Sequence, residues 1–407
     1  MGAASPGHSI SLFVKDLEPP GRRLMDTPIY LDNLATTRLA PEALKAMLPW
    51  LEDRFGNASS STHQFGWDAA EAIEDARDDI CQLIGASHSS EVIFTSGATE
   101  SNNSVLKGVA ARLDGSPRHF IASAIEHPSV LVPCGVLADQ GTRITLVSPD
   151  SNGLIHPEEV EHAICPETRL ISVMAANNEI GSLQPTSEIA KVAHDNGVLL
   201  HVDAAQAVGK IDVDVQRFDV DFLSISAHKF NGPKGIGALY IRSNAFPQGL
   251  HPLLHGGAQE AGGRAGTVPV AQVVGFGAAA KLTRARWRDD ARRLVDLSTR
   301  LWSHLSSEIP EISLNGHLDS LLPGCLNFSV SGVLADSLIA ATPGVAFSSG
   351  SACSSHHGGD SHVLMALGLD QEKRRNSVRI GIGRDTSVAD VAVAGDILIR
   401  AIKTLRS

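Results

Sequence analysis

Val198-Leu-Leu-His-Val-Asp203-Ala-Ala-Gln206 and Phe222-Leu-Ser-Ile-Ser226-Ala-His-Lys229 share one plan, an apolar run that ends on polar residues. Runs that are apolar on both faces belong in a parallel sheet covered by helices on either side. Five further runs read the same way: Glu91–Thr95, His119–Ser123, Arg143–Val147, Arg169–Met174 and Ile236–Ile241. Helical patterns separate or flank them. Pro41 opens one that continues to Arg54, proline being suited to a first turn. Another, Asp68–Ile84, carries Ala70, Ile73, Ile80 and Leu83 at helical spacing and stops at Gly85. The alternation predicts an α/β fold with a mainly parallel seven-stranded sheet.

Beyond about Gln272 the texture changes. A long helical stretch, Val273–Glu308, leads into shorter strands at Cys325–Val330 and Ser377–Ile382 and a last helix over Val388–Leu405. This reads as a smaller α+β unit hinged near the long helix. The expected division is residues 1–27 as a poorly ordered extension, 28–40 as a segment associated with the small domain, 41–285 as the large domain and 286–407 as the small one. Ile10–Val14 is too short for a signal segment.

Composition bounds the function. The 407 residues carry 34 Lys and Arg against 45 Asp and Glu, a formal charge of −11, which argues against a nucleic-acid binder held by phosphates. At 43% hydrophobic residues the chain has enough apolar matter for large cores. No uncharged apolar run approaches the roughly 18 residues of a membrane span. Five cysteines, widely spaced and without a C-x-x-C, form neither a disulfide framework nor a zinc knuckle and fit a reducing, cytoplasmic setting.

In open parallel sheets ligands bind beyond the carboxyl ends of the strands. Those ends here carry Ser96-Gly-Ala-Thr-Glu100, Glu126-His127, Asn177-Asn-Glu179, Asp203-Ala-Ala-Gln206 and Ala227-His-Lys229. Each has a plainer reading alone: a capped turn, a structural histidine, a helix cap, a surface lysine. Together they form a constellation. Thr95–Glu100, between strand and helix, suits a phosphate, because a helix start offers free N–H groups and a favourable dipole. Lys229 suits a Schiff base, Asp203 a cationic ring nitrogen and His127 a place over a ring face, the parts that pyridoxal phosphate requires. No Walker loop or dinucleotide fingerprint occurs; Gly232-Pro-Lys-Gly235-Ile-Gly237 reads as a turn into the next strand. Cys353 lies in the small, polar, glycine-rich run Ser348–Gly359, the expected setting of an exposed reactive thiol. Cys81, Cys134, Cys165 and Cys325 are expected as small hydrophobes. His356, His357 and His362 invite a zinc reading, which the lack of a second nearby cysteine disfavours.

With these segments quoted, the chain resembles the cysteine desulfurases, close relatives of the selenocysteine lyases, in the aminotransferase-like (class V, fold-type I) group of pyridoxal-phosphate enzymes. The resemblance also rests on Tyr30-Leu-Asp-Asn-Leu-Ala-Thr-Thr37, Phe55-Gly-Asn57, Gly256-Gly257, Gly266-Thr267, Ser349-Gly-Ser-Ala-Cys353 and Val378-Arg-Ile380. The order and spacing match over about residues 28–405. The resemblance implies Lys229 as the cofactor lysine and proton carrier, Asp203 on the ring nitrogen and His127 on the ring face. Gln206 and Asn178 would stand near the ring oxygen. Ala98, Thr99, Ser226 and His228 would hold the phosphate, joined by Thr267 from the partner of a homodimer. Arg379 would clamp the substrate carboxylate and Cys353 would attack the substrate sulfur, forming a persulfide. The implied reaction is L-cysteine to L-alanine, with sulfur handed to an acceptor or scaffold protein for iron–sulfur assembly or thio-modification. Selenocysteine or a related cysteine or cystine substrate is the alternative. Leu34, where relatives often carry a polar residue, and Ala261, where they often carry arginine, depart from the pattern.

Overall fold

The computed structural model describes residues 27–113, 118–243, 250–317, 321–350 and 360–407. Along the chain the strands are β1 (Ile29–Tyr30), β2 (Val92–Thr95), β3 (His119–Ser123), β4 (Arg143–Val147), β5 (Thr168–Met174), β6 (Leu199–Asp203), β7 (Phe222–Ser226) and β8 (Gly237–Ile241). They continue as β9 (Ile312–Leu314), β10 (Cys325–Val330), β11 (Val345–Ala346), β12 (Ser348–Ser349) and β13 (Ser377–Gly381). The seven expected sheet strands are all present within a residue or so. They form one sheet in the order β2-β8-β7-β6-β5-β3-β4, parallel except for β8, which runs antiparallel to both neighbours. Glu91 falls outside β2 because its carboxylate accepts from Ser87 N, His88 N and Ser243 N and closes the turn before the strand. The helix expected from Asp68 begins earlier, at Gln64, where the His63 ring accepts from Gly66 N.

The burial pattern explains the sheet. β3 and β7 are buried along their whole length, and only Leu199 of β6 is partly open. The polar residues inside these strands are therefore paired: His201 lies between Ser172 Oγ at 2.8 Å and Ser224 Oγ at 2.9 Å. Because β4 and β5 flank β3 on opposite sides, a crevice opens at the carboxyl ends of β3 and β5, the position at which such sheets bind ligands.

A second sheet, β12-β13-β10-β9, is antiparallel, and β1 pairs with β11 in parallel. Residues 29–33 thus join the C-terminal strands: Leu31 N donates to Ala346 O and Asn33 N to Gly381 O. The helix Val270–Glu308, about 60 Å long, links two cores. Val273, Phe276, Ala279 and Ala280 pack under the large sheet, whereas Leu294, Leu297, Leu301 and Leu305 pack with Leu31, Phe328 and Leu398. Cys325, Val363, Leu364 and Leu367 pack with the large-sheet core, so the two parts of the chain interlock rather than merely adjoin.

Phe276 is fully buried between Phe94 and Phe230, its ring centroid 5.7 Å from that of Phe230, the neighbour of Lys229. Phe276→Ala is expected to cost about 3–5 kcal/mol of stability, read as a lowered denaturation midpoint at constant slope.

Candidate active site

A cavity of ≈ 570 Å³ opens at the carboxyl edge of the large sheet and is closed on one side by residues 32–36. Ala98, Thr99, His127, Asn178, Asp203, Gln206, Ser226, His228, Lys229 and Arg379 all line it. They arrive from six separate chain segments. Thr267 does not line this cavity; it is exposed on the turn after Gly266. Cys353, like His356 and His357, lies outside the described residues. A larger cavity of ≈ 850 Å³ lies beside the Arg77–Glu260 pair and has Ala261 in its wall. Its lining residues include no lysine, whereas Lys229 and Lys234 line the smaller cavity.

The phosphate end is built by close approach. β2 turns at Gly97 into the helix Ala98–Arg112, and Gly237 at the start of β8 lies against that turn. A Cβ on Gly237 would stand 2.6 Å from Gly97 Cα, so only glycine allows this contact. The first N–H groups of the helix, together with Ser226, His228 and Lys234 on the cavity wall, make a donor-rich cup for a phosphate dianion. Glu100 is kept from opposing that charge. Although burial raises its pKa, Arg264 at 2.9 Å and Ser96 N at 2.8 Å hold the carboxylate below its ordinary range.

At the other end Asp203 is 5% exposed and held in one orientation: Oδ1 accepts from Ala205 N at 2.9 Å and Oδ2 from Asn102 Nδ2 at 2.7 Å. Asn102 Nδ2 also donates to Ser129 Oγ at 2.8 Å, and Ser129 Oγ stands 2.8 Å from His127 Nδ1. Because Nδ1 also accepts the Ser129 backbone N–H at 3.1 Å, the proton of the neutral imidazole sits on Nε2. Burial pulls the His127 pKa down, with Lys229 and His362 acting in the same direction and Asp203 against them. His228 is pushed down to about 4 by burial and by Lys229, Lys234 and Lys210. Both rings are therefore neutral near pH 7.

Lys229 follows β7 directly, and its Nζ donates to Leu34 O at 2.7 Å and Ala35 O at 2.9 Å. Arg379, on β13, is 2% exposed; it donates to Asn178 O at 2.9 Å and pairs with Asp32 Oδ1 at 3.0 Å. Its Nε is buried without an acceptor among the described residues. The donor set fits pyridoxal phosphate: an anion cup at one end, an acid at the other, an amine between and a guanidinium at the rim.

The thiols sort by burial. Cys81, Cys134 and Cys325 are buried, which pushes their pKa up to about 11, 12 and 12, so they stay protonated and weakly nucleophilic. Cys165 differs from the expected small hydrophobe. It is only half-buried, and its sulfur meets Arg143, His119 Nδ1 and Thr168 Oγ1, because the ends of β3, β4 and β5 converge there on polar side chains.

Sequence reading assigned no role to the residues behind the first row: Asn102, Ser129 and Lys210 were passed over, and Glu126 and Glu179 were named only as polar strand ends. The signal for Asn102 was its place in Thr95–Asn102, one helical turn beyond the cup. Nothing local marked Ser129 or Lys210, and what all of these residues do depends on contacts between distant segments. Ser361 Oγ donates to Glu179, and the His362 ring meets Glu126 O at 2.9 Å, fastening the helix His362–Ala366 to the sheet.

The comparisons with known proteins agree with this geometry. A family model described as aminotransferase class-V matches residues 29–393. The chain belongs to the class-V aminotransferase family. Among relatives, it is 44% identical over 393 residues to the mitochondrial cysteine desulfurase of Drosophila melanogaster, covering 97% of this chain and 84% of that one. It is 43% identical over 379 residues to the cysteine desulfurase IscS of Rickettsia bellii, covering 93% and 92%. Among solved structures, a NifS-like protein superposes with a TM-score of 0.86 at 33% identity, covering 93% of this chain and all of that one. SspA in complex with cysteine does so at 0.78 and 37%, covering 87% and 98%. As a class-V member the chain is a pyridoxal-phosphate-dependent enzyme.

Glu126 offers a measurable consequence. Burial pushes its carboxyl up to about 8, helped by Asp203 and opposed by Ser123 and Met174 N–H. An unfolded glutamate titrates near 4.3. Between those values the folded state keeps a proton that the unfolded state has lost, so stability falls as pH rises through that window. Glu126→Gln is expected to remove this component. The difference in unfolding free energy between variant and wild type should grow from pH 5 to 8 by up to about 1.4 kcal/mol per pH unit.

Proposed function

We propose that this chain is a cysteine desulfurase: it converts L-cysteine to L-alanine and takes the sulfur onto Cys353 as a persulfide. The observation that carries the reading is the convergence of Lys229, Asp203, His127 and Arg379 on one cavity with a phosphate cup at its end. The desulfurase names of the relatives at 43–44% identity support it.

Pyridoxal phosphate, when bound, supplies an electron sink for the pair released at the substrate Cα. The first N–H groups of the helix Ala98–Arg112, with Ser226 and His228, would hold its phosphate, and Asp203 would keep a proton on its ring nitrogen. Asn102 fixes the Asp203 carboxylate so that the acid faces the cavity. Lys229 would hold the cofactor through its amine and would carry protons at Nζ. Leu34 O and Ala35 O orient that amine and accept from it when it is charged. His127 would stack on the ring face, its Nε2–H set by the Ser129 contacts to Nδ1. Arg379 binds the substrate carboxylate, and Asp32 fixes its guanidinium at 3.0 Å. Asn178 and Gln206, which line the cavity, would stand near the ring oxygen.

Sulfur transfer balances without a further reagent. The Cys353 thiolate bonds to the substrate sulfur, the substrate C–S bond breaks, and the carbon takes a proton. One thiol and one cysteine become one persulfide and one alanine. The flanks of the Cys353 segment are held firmly: Gly350 N donates to Ser377 O, and Asp360 pairs with Arg374 at 2.7 Å. The two cores correspond in this reading to a cofactor domain over 41–285 and a small domain over 286–407, with 28–40 bound to the latter and 1–27 as an extension. A homodimer would let the exposed Thr267 reach the phosphate of the neighbouring subunit. A cytoplasmic enzyme passing its persulfide to an acceptor or scaffold protein for iron–sulfur assembly or thio-modification completes the proposal. No helix among the described residues is long and apolar enough to cross a membrane.

Purified protein is expected to show a visible absorption band that borohydride abolishes, and to release alanine and, with a thiol reductant, sulfide from cysteine. Lys229→Ala should lose the band. Cys353→Ala should keep the band and lose sulfide release; full release from Cys353→Ala would overturn the persulfide role. Arg379→Lys, which gives up the bidentate fork, is expected to raise KM for cysteine at least tenfold with a smaller change in kcat, read by steady-state alanine formation.

A further inference from the structure

Lys210 is a buried cation that the chemistry above leaves unused. It sits at the end of the turn after Asp203-Ala-Ala-Gln206, is 7% exposed, and does not line the cavity. Its Nζ donates to Gln206 O at 3.3 Å and to Gln206 Oε1 at 3.2 Å. Gln206 Nε2 in turn donates to Leu34 O at 2.8 Å, the same oxygen that receives Lys229 Nζ at 2.7 Å. The two ends of a carboxamide have nearly the same shape and opposite hydrogen-bonding sense, so its partners decide which end faces the site. A lysine is a pure donor when charged. Placed at Oε1, it turns the NH₂ end of Gln206 towards Leu34 and the cavity.

We propose that Lys210 is a positioning residue that locks the Gln206 carboxamide with its N–H groups facing the cofactor cavity, so that the ring oxygen of pyridoxal phosphate meets a donor rather than an acceptor. This rests on the cofactor reading above. Burial, followed by the charge of Lys229, pushes the Lys210 amine down to about 7; Cys325 acts in the opposite direction, and Arg379 adds the smallest downward effect. The ammonium can only donate, whereas the neutral amine also carries a lone pair, so the bias is strongest while Lys210 is charged. A second consequence is economy of acceptors. Leu34 O serves Gln206 and Lys229 together, and a rotated carboxamide would place its oxygen against that carbonyl, lone pair against lone pair. An apolar residue at 210 removes the donor at Gln206 Oε1 and leaves Leu34 O alone to oppose rotation of the carboxamide.

The test is a double-mutant cycle on wild type, Lys210→Met, Gln206→Leu and the double variant. The affinity of each apo-protein for pyridoxal phosphate is measured by absorbance titration, alongside apo-protein melting and the position of the visible band. Lys210→Met is expected to bind about tenfold more weakly and to shift the band, while apo melting changes little. In the Gln206→Leu background the same substitution should change affinity less than about twofold. Equal loss in both backgrounds, or wild-type affinity and band in Lys210→Met, would overturn the proposal. If Lys210→Met does not fold, Lys210→Leu takes its place in the same cycle. A wild-type protein with no visible band overturns the cofactor reading instead, which keeps the two failures distinct.

Discussion

A strand buried on both faces can carry a polar side chain only where a partner waits for it, and this constraint places the chemistry of the molecule. Within the central strands the exceptions are paired, as His201 is between Ser172 and Ser224. Elsewhere the functional groups are displaced to the strand ends, where backbone turns supply donors and a cavity supplies room. In a parallel sheet those ends lie along one edge. Asp203, Lys229, His127 and Asn178 are neighbours because β6, β7, β3 and β5 finish together, although His127 and Lys229 lie 102 positions apart in the chain.

The edge becomes a site only when another part of the chain closes it. The segment from Leu31 to Thr37 does this. Its backbone is fixed to β13 through Gly381 and to the turn after β7 through Thr37 N and His228 O. Between those anchors, the carbonyls of Leu34 and Ala35 face the cavity and accept from Lys229, with Gln206 sharing the first. These contacts use the main chain, so Leu34 in place of a polar residue leaves them intact. Its side chain is 2% exposed and packs with the large-sheet core.

Much of this was legible along the sequence. The seven sheet strands appear as apolar runs because burial on both faces removes polar alternation, and His127, Asn178, Asp203 and Lys229 follow those runs directly. What escaped was the second row. Asn102 steers Asp203, Ser129 steers His127, and Lys210 meets Gln206; a buried asparagine, serine or lysine carries no local pattern that separates it from a solvated one. Cys165 escaped for the converse reason. Its neighbours in sequence resemble those of a packed cysteine, and the arginine and histidine that surround it arrive from β4 and β3.

The sequence by itself determined the alternation of strands and helices, the polar identity of each strand end and the resemblance that names the cofactor. These follow from local periodicity and from short motifs whose chemistry is carried by adjacent residues. The tertiary structure decided which ends share a cavity, which carbonyls orient Lys229, which histidine nitrogen holds a proton and which thiols burial silences. Each of these depends on desolvation and hydrogen bonds between segments far apart in the chain, and those exist only once the two cores have closed on one another.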